Sequence, residues 1–386
     1  MIGCSIYSNY GISDMEKRIK VLIVAGAMNI GGIENQLMHL LRQADKTKFQ
    51  IDFTTTADHP FYQDEIELLG GRCIQIPATE GKHFLRYCRA LYRVIKDGQY
   101  DVVHSNELFH SGMVLLTARL AGVKHRFVHA HSCNQERGNW IRRAYHAVMR
   151  RLILWNATDF LACSSFSADF LFGRGITDKG NYHLIVNSVD TARFLPEEDQ
   201  GENAGKACPE ILQVGRFSDE KNFLFSVEIA EACKQRGDPF RFVFVGNNGE
   251  EYESSVRRLI RDKQLEDTIC LLGIRKDVDQ LMKRADAFLL PSKFEGMPLT
   301  LIEAQASGLP CVVADTFSHE VDFGINAVEW LKLEDGAEAW ANALERAVCK
   351  GRAERQEVVN AIDAGGFDSK AFAQKICGLY EKCVNG

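Results

Sequence analysis

The chain has 386 residues, 46% of them apolar and 25% charged, and a net charge of −6. One hydrophobic core stops growing at roughly 250–300 residues, so two domains are expected, and the acidic balance excludes a general nucleic-acid binder. Residues 1–200 carry 23 Lys and Arg against 21 Asp and Glu and ten of the eleven histidines, while the rest carry 23 against 31, so the two halves are expected to do different jobs.

Residues 1–17 lack the basic start and apolar core of a signal peptide and read as a disordered extension. No apolar run approaches the roughly 20 residues of a membrane span. Twelve cysteines without CxxC pairs or metal-like spacing point to reduced thiols in a cytoplasmic protein.

Short apolar strands then alternate with helical stretches. The first half offers strands at Lys20–Ala25, Phe49–Thr55, Arg72–Ile76, Asp101–His104, Arg126–Ala130, Asp159–Cys163 and His183–Val186. Helix-length stretches between them include Glu34–Leu41, Phe84–Lys96, Ser111–Ala121 and Trp140–Trp155. This predicts an α/β domain over 18–195, with a parallel sheet covered on both faces. A polar stretch over 196–208 reads as a linker. The alternation restarts over 209–366, with strands at Glu210–Val214, Phe240–Val245, Thr268–Leu272, Ala287–Leu290 and Cys311–Val313 and helices including Phe223–Lys234 and Tyr252–Lys263. Lys370–Val384, within a C-terminal segment 367–386, has the pattern of one more amphipathic helix. Two open α/β sheets facing each other place a ligand in the cleft at their strands' carboxyl ends.

The chemistry-bearing residues gather at those strand ends. After the first strand, Gly31-Gly32 precedes a helix and lets backbone N–H groups approach an anion; a tight turn without ligand is equally open. His129 and His131 alternate with Ala130, so they share one side of their strand; acid–base, substrate-holding and buried structural roles are all open. Arg143 and Arg150 lie with His146 on one stripe of their helix. With Arg86, Arg89, Arg93 and Lys96 they can form a basic rim for an anionic membrane or a lipid-linked pyrophosphate, or a merely solvated face. In the second half Arg216 and Lys221 stand five apart before a helix, where a leaving pyrophosphate would need countercharge. Glu295-Gly296-Met297-Pro298-Leu299-Thr300 leads from a strand into a helix bearing Glu303. Helix-start N–H groups suit a phosphate, and carboxylates hold sugar hydroxyls. Residue by residue this reaches a binder and activator of a nucleotide sugar.

Gly31-Gly32-x-Glu34, Gly215-Arg216-Phe217 with Lys221, Gly273-Ile274-Arg275-Lys276-Asp277-Val278, and Glu295-x7-Glu303 followed by Ala304 and Gly308-Leu309-Pro310 occur in order. Together they resemble family 4 of the retaining glycosyltransferases, and within it the group that builds capsules and exopolysaccharides, from about Lys20 to the last helix. The resemblance implies the GT-B fold, two Rossmann-like domains facing across a cleft, the first binding acceptor and the second the nucleotide-sugar donor. It also implies a final segment packing back on the first domain. Arg216 and Lys221 would neutralise the diphosphate, Glu303 would hold the ribose and Glu295 the donor sugar, and the amides over 297–300 would meet phosphate and sugar. Gly31 and Gly32 would close from the other domain, Ile274 and Arg275 would pack on the base, and His131, rather than His129, would touch the sugar. Asn187 occupies the family's Asn-Gly-Val-Asp turn, where Ser188 replaces glycine. The implied reaction is retaining transfer from a UDP-sugar to a glycan or lipid-linked acceptor, without metal or other cofactor. Same-scaffold alternatives are a nucleotide-sugar epimerase and a non-catalytic assembly module, and the missing GxGxxG disfavours a dehydrogenase.

Overall fold

The computed structural model describes residues 18–78, 84–132, 139–197, 208–246 and 250–386. The extension 1–17 and most of the linker, 198–207, lie outside the described residues.

In chain order the first domain runs β1 (Ile19–Val24), α1 (Gly32–Gln43), β2 (Phe49–Thr55), α2 (Gln63–Leu68), β3 (Cys73–Gln75), α3 (Phe84–Gly98) and β4 (Val102–Ser105). It continues with α4 (Ser111–Leu120), β5 (His125–Ala130), α5 (Trp140–Asn156), β6 (Asp159–Ala162), α6 (Ser165–Phe172), β7 (Tyr182–Leu184) and α7 (Thr191–Phe194). Its seven strands lie in the order β3-β2-β1-β4-β5-β6-β7, and every pairing is parallel.

The second domain runs β8 (Glu210–Val214), α8 (Phe223–Arg236), β9 (Arg241–Val245), α9 (Glu250–Asp262), β10 (Ile269–Gly273), α10 (Val278–Arg284) and β11 (Ala287–Leu290). After these come α11 (Leu299–Ala306), β12 (Cys311–Ala314), β13 (Val328–Leu331), α12 (Gly336–Lys350), α13 (Arg355–Gly365) and α14 (Ser369–Asn385). Its parallel sheet has the order β10-β9-β8-β11-β12-β13.

Strands covered on both faces must be apolar on both, and β11 (Ala-Phe-Leu-Leu) and β12 (Cys-Val-Val-Ala) are buried at every position. Strand β13, at one edge of this sheet, escapes the sequence reading. Its residues Val328-Glu-Trp-Leu are all half-buried, so no continuous apolar run marks them. In the first sheet one face packs on α1, and Phe372, Ala373, Ile376 and Tyr380 of α14 are buried in that same cluster. The last helix of the chain is thus part of the N-terminal core. The chain crosses between domains a second time beside Val189, whose N–H donates to the Phe367 carbonyl at 2.8 Å.

Candidate active site

The carboxyl ends of the two sheets meet around three loops. Strand β8 ends at Val214, and Gly215-Arg216-Phe217 leads into a tight turn at Asp219–Lys221. Asn222 adopts a left-handed φ of 56°, which asparagine tolerates, and donates Nδ2–H to the Pro291 carbonyl at 3.1 Å. Gln213 Nε2 donates to the Lys221 carbonyl at 2.9 Å. With its main chain pinned, Lys221 reaches Glu295: Nζ and Oε1 are 2.5 Å apart, and the side chains are 17% and 13% exposed. Arg216 is 68% exposed and only loosely held, 4.0 Å from Glu220. Two cations therefore stand at one strand end, one enclosed and paired, one extended into solvent.

Glu295 opens the loop between β11 and α11. No side chain caps α11, whose N-cap is Pro298, so N–H groups of Leu299 and Thr300 are left for a ligand. The Thr300 hydroxyl is buried with no partner among the described residues. The loop is bolted to the first domain. Ser164 Oγ donates to the Gly296 carbonyl at 2.9 Å, and Asn187 Nδ2 to the Met297 carbonyl at 2.8 Å. A Cβ at Gly296 would run into the His131 carbonyl oxygen, so this close approach requires glycine. Beside it the Ser165 N–H donates to Glu320 at 2.8 Å. Glu303, half-buried in α11, has no cationic partner in direct contact among the described residues. Burial raises its carboxyl to about 8, opposed only in part by the field of Arg193.

From the first domain, α1 presents a second uncapped start. Its N-cap is Gly31, with no side-chain hydrogen bond. The Glu34 carboxylate folds back over Gly31 so closely that a Cβ there would strike it, and Leu299 lies against Gly32. Burial raises the Glu34 carboxyl, while the positive field of Arg216 from the opposite domain pulls it down. Arg216, Lys221, Glu295, the start of α11 and the Gly31-Gly32 turn thus belong to one site.

His131 stands just past β5. Asn106 donates Nδ2–H to the His104 carbonyl at 3.4 Å, which turns its Oδ1 toward His131 Nε2 at 2.8 Å. Burial lowers His131 to about 3, so the ring is neutral. Nε2 carries its proton toward Asn106, and Nδ1 keeps a lone pair that can accept a hydroxyl. The shared side read for the two histidines holds: their rings are 3.9 Å apart. His129 is buried and stacks in turn on His104, 5.5 Å away, whose Nδ1 meets the Tyr380 hydroxyl at 2.6 Å. His129 is thereby a packing residue behind His131.

Other sequence candidates lie further out. The β9–β10 register shifts between Leu271 and Gly273, a bulge that leaves Ile274 exposed beyond the strand. Arg275 pairs at the surface with Asp277 at 2.5 Å. Lys276 lies over the Phe61 ring of the first domain, so this loop forms one rim of the cleft. Arg143 is exposed on α5, whereas Arg150 gives Nε and Nη2 to the carbonyls of Leu171 and Phe170 at 3.1 and 2.7 Å. Its guanidinium serves the end of α6, a reason the stripe drawn for it with Arg143 does not act as one surface.

Sequence reading missed a group of residues that hold these parts in place. Gln36 of α1 accepts the Ser188 N–H at 2.7 Å and donates to the Ser188 carbonyl at 2.8 Å. The Ser188 hydroxyl donates to Gln36 at 2.9 Å and lies 2.9 Å from His39 Nδ1. Ser188 does not have a positive φ, so losing the family's glycine costs nothing in backbone, and its hydroxyl is put to use. Asn106, Ser164 and Glu320 were likewise invisible, because single polar residues carry no periodic signal.

Two parallel-sheet domains whose strand ends share a site across a cleft define a GT-B protein. Residues 31–188 match the glycosyl transferase 4-like domain, and residues 196–362 match the glycosyl transferases group 1 family. The chain is 35% identical over 374 residues to EpsF of Bacillus subtilis (strain 168), a protein assigned to the glycosyltransferases, covering 94% of this chain and 96% of that one. It is 25% identical to the capsular polysaccharide biosynthesis glycosyltransferase CapH of Staphylococcus aureus, over 94% of this chain and 98% of that one. The Anabaena protein HepE, crystallised with UDP-glucose, superposes with a TM-score of 0.76 at 18% identity, over 95% of this chain and all of that one. The chain belongs to the group 1 glycosyltransferases.

Proposed function

We propose that the protein moves a sugar from a nucleoside-diphosphate sugar, UDP-linked rather than GDP-linked, to a hydroxyl of a lipid-linked or polysaccharide acceptor in cell-surface polysaccharide synthesis. The observation that carries this is the enclosed Lys221–Glu295 pair beside the uncapped start of α11. A diphosphate placed there meets a cation, helix N–H groups and, from Arg216, a second mobile charge. Glu295 and Glu303 hold hydroxyls of the donor sugar and ribose, while Ile274 and Arg275 pack on the base. Relatives support the substrate class: one E. coli protein, 29% identical over 237 residues, is a UDP-Gal:alpha-D-GlcNAc-diphosphoundecaprenol galactosyltransferase.

Transfer proceeds with retention. The acceptor hydroxyl attacks from the face the diphosphate leaves, and the departing phosphate oxygen takes its proton, so Glu295 is not a nucleophile. Arg216 and Lys221 supply the countercharge that a metal supplies elsewhere, so turnover persists in EDTA. His131 accepts a donor-sugar hydroxyl through Nδ1. The enzyme works at the inner face of the cytoplasmic membrane, where α5 exposes Trp140, Ile141, Val148 and Trp155 among Arg142, Arg143 and Arg151. No helix of the described residues is long and apolar enough to cross a membrane.

The test is a panel of nucleotide sugars with release of nucleoside diphosphate as readout. Lys221→Ala should lower kcat by about 10²–10³-fold, as for loss of one oxyanion donor. No release from any donor, with nucleotide binding indifferent to Lys221→Ala, refutes the assignment.

A further inference from the structure

Asn106, which orients His131, is followed by Glu107, and no part of the donor site uses that carboxyl. Leu108 takes a left-handed φ of 47° and turns the chain back at once into the short helix Leu108–His110, which holds Glu107 at the carboxyl end of β4. One carboxylate oxygen, Oε2, accepts a hydrogen bond from the Tyr87 hydroxyl at 2.7 Å. Tyr87, on α3, is itself buried in one cluster with Leu22 and Val24 of β1 and Val103 of β4. The other oxygen, Oε1, has no hydrogen-bond partner among the described residues, and no Lys, Arg or His among them forms an ion pair with this carboxylate. Glu107 is only half-buried. Nearby, Tyr145 of α5 meets His110 Nδ1 at 3.1 Å, and the negative field of Glu107 reaches the Tyr145 phenol.

An unpaired carboxylate in partial burial is costly, and packing alone would favour glutamine or an apolar residue there. Burial accordingly raises the Glu107 carboxyl to about 7. The diphosphate is not its partner, since a carboxylate beside it would repel it, and the donor's countercharges come from the opposite domain. What remains for a carboxylate at the carboxyl end of β4, next in the chain to the residue that holds His131, is the acceptor.

We infer that Glu107 binds the acceptor, its free Oε1 accepting a hydroxyl of an uncharged sugar while Tyr87 fixes the carboxylate and the His110–Tyr145 pair lines the same subsite. This rests on the transferase reading above. A uronic acid or phosphorylated sugar would meet like charge and is excluded from that position.

The experiment uses the full chain, a donor from the panel and two kinds of acceptor probe: octyl glycosides of glucose, galactose and N-acetylglucosamine, and octyl glucuronide. Nucleoside diphosphate released to water and product formed on the glycoside are measured together. For Glu107→Gln the transfer-to-hydrolysis ratio should fall at least tenfold through a raised acceptor KM, with donor KM within twofold. Tyr87→Phe should move the same ratio in the same direction by a smaller factor. Glu107→Gln should melt no lower than the parent protein, because it removes a half-buried carboxylate that no cation pairs among the described residues, while its amide oxygen can still accept from Tyr87. An unchanged ratio, a rise in donor KM matching that in acceptor KM, or transfer to octyl glucuronide as good as to the neutral glycosides overturns the inference. So does a wild-type enzyme that hydrolyses donor but uses none of the neutral glycosides. Absence of donor turnover in the wild type counts instead against the transferase reading.

Discussion

Replacing Gln36 with alanine tests whether the turn between the domains is held as tightly as its geometry implies. Gln36 is 1% exposed, and its amide satisfies both the N–H and the C=O of Ser188, at 2.7 and 2.8 Å. The Ser188 hydroxyl keeps His39 as a partner in the variant, so two buried backbone groups lose their bonds. Each unsatisfied group costs about 1–3 kcal/mol, which places the loss at roughly 2–6 kcal/mol. For a domain of this size each kcal/mol moves Tm by about 2–4 °C, so the transition of the first domain should fall by at least about 4 °C. Ser188→Gly removes only the hydroxyl and should fall by less, since its N–H and C=O still face Gln36. Because the next residue, Asn187, holds the Met297 carbonyl, Gln36→Ala should also weaken UDP binding. Thermal unfolding followed by circular dichroism, with and without UDP, measures both effects. A Tm within about 1 °C of the parent for Gln36→Ala would mean that these bonds are not maintained in solution, and would refute the reasoning.

Glu303→Gln should stabilise the ligand-free protein in a pH-dependent way. The folded carboxyl titrates near 8 against 4.5 ordinarily, so between those values the folded state holds a proton that the unfolded state has lost, and wild-type stability falls as pH rises. The variant's Tm advantage should therefore be near zero at pH 4.5, grow up to pH 8 and then level off; an advantage constant across pH in a fluorimetric melt rules this out. Tyr380→Phe leaves His104 without a partner at either ring nitrogen, since its Nε2 already has none among the described residues. That should cost about 1–3 kcal/mol, read as a lowered urea midpoint. Trp140→Glu with Trp155→Glu should weaken co-sedimentation with anionic vesicles, and raised salt should weaken the parent's binding as well; equal binding by the double variant removes α5 as the docking face.

The architecture was legible because its signal repeats. The inner strands carry the apolar runs that parallel packing demands, and the strand that the sequence did not reveal, β13, is a half-buried edge broken by a glutamate. Helix ends read less well: α9 begins at Glu250 and not Tyr252, because charged first turns hide a helix start from an apolar pattern. The cations and carboxylates of the second domain are marked by a different signal, their spacing around two strand-to-helix turns, β8–α8 and β11–α11. What stayed hidden is whatever joins segments far apart in sequence. Gln36 and Ser188 are 152 positions apart, His104 and Tyr380 are 276 apart, and a lone buried glutamine or tyrosine looks the same in sequence whether it fills a core or ties distant segments together.

Those long-range ties converge. Asn187 holds the loop before α11, Ser188 holds α1, and Val189 bonds Phe367 at the second crossing between domains. Three consecutive residues thus connect the loop before α11, helix α1 and the second chain crossing. Across the cleft the domains also touch where Lys276 lies over the Phe61 ring, a contact worth about 1 kcal/mol or less when solvated. Separating the domains at Lys276 costs little, whereas separating them at 187–189 would strand buried backbone groups at about 1–3 kcal/mol apiece. By this reckoning the domains part more readily at Lys276 than at 187–189, and the Ser188 hydroxyl, standing where the family has glycine, adds a bond to α1 behind that turn.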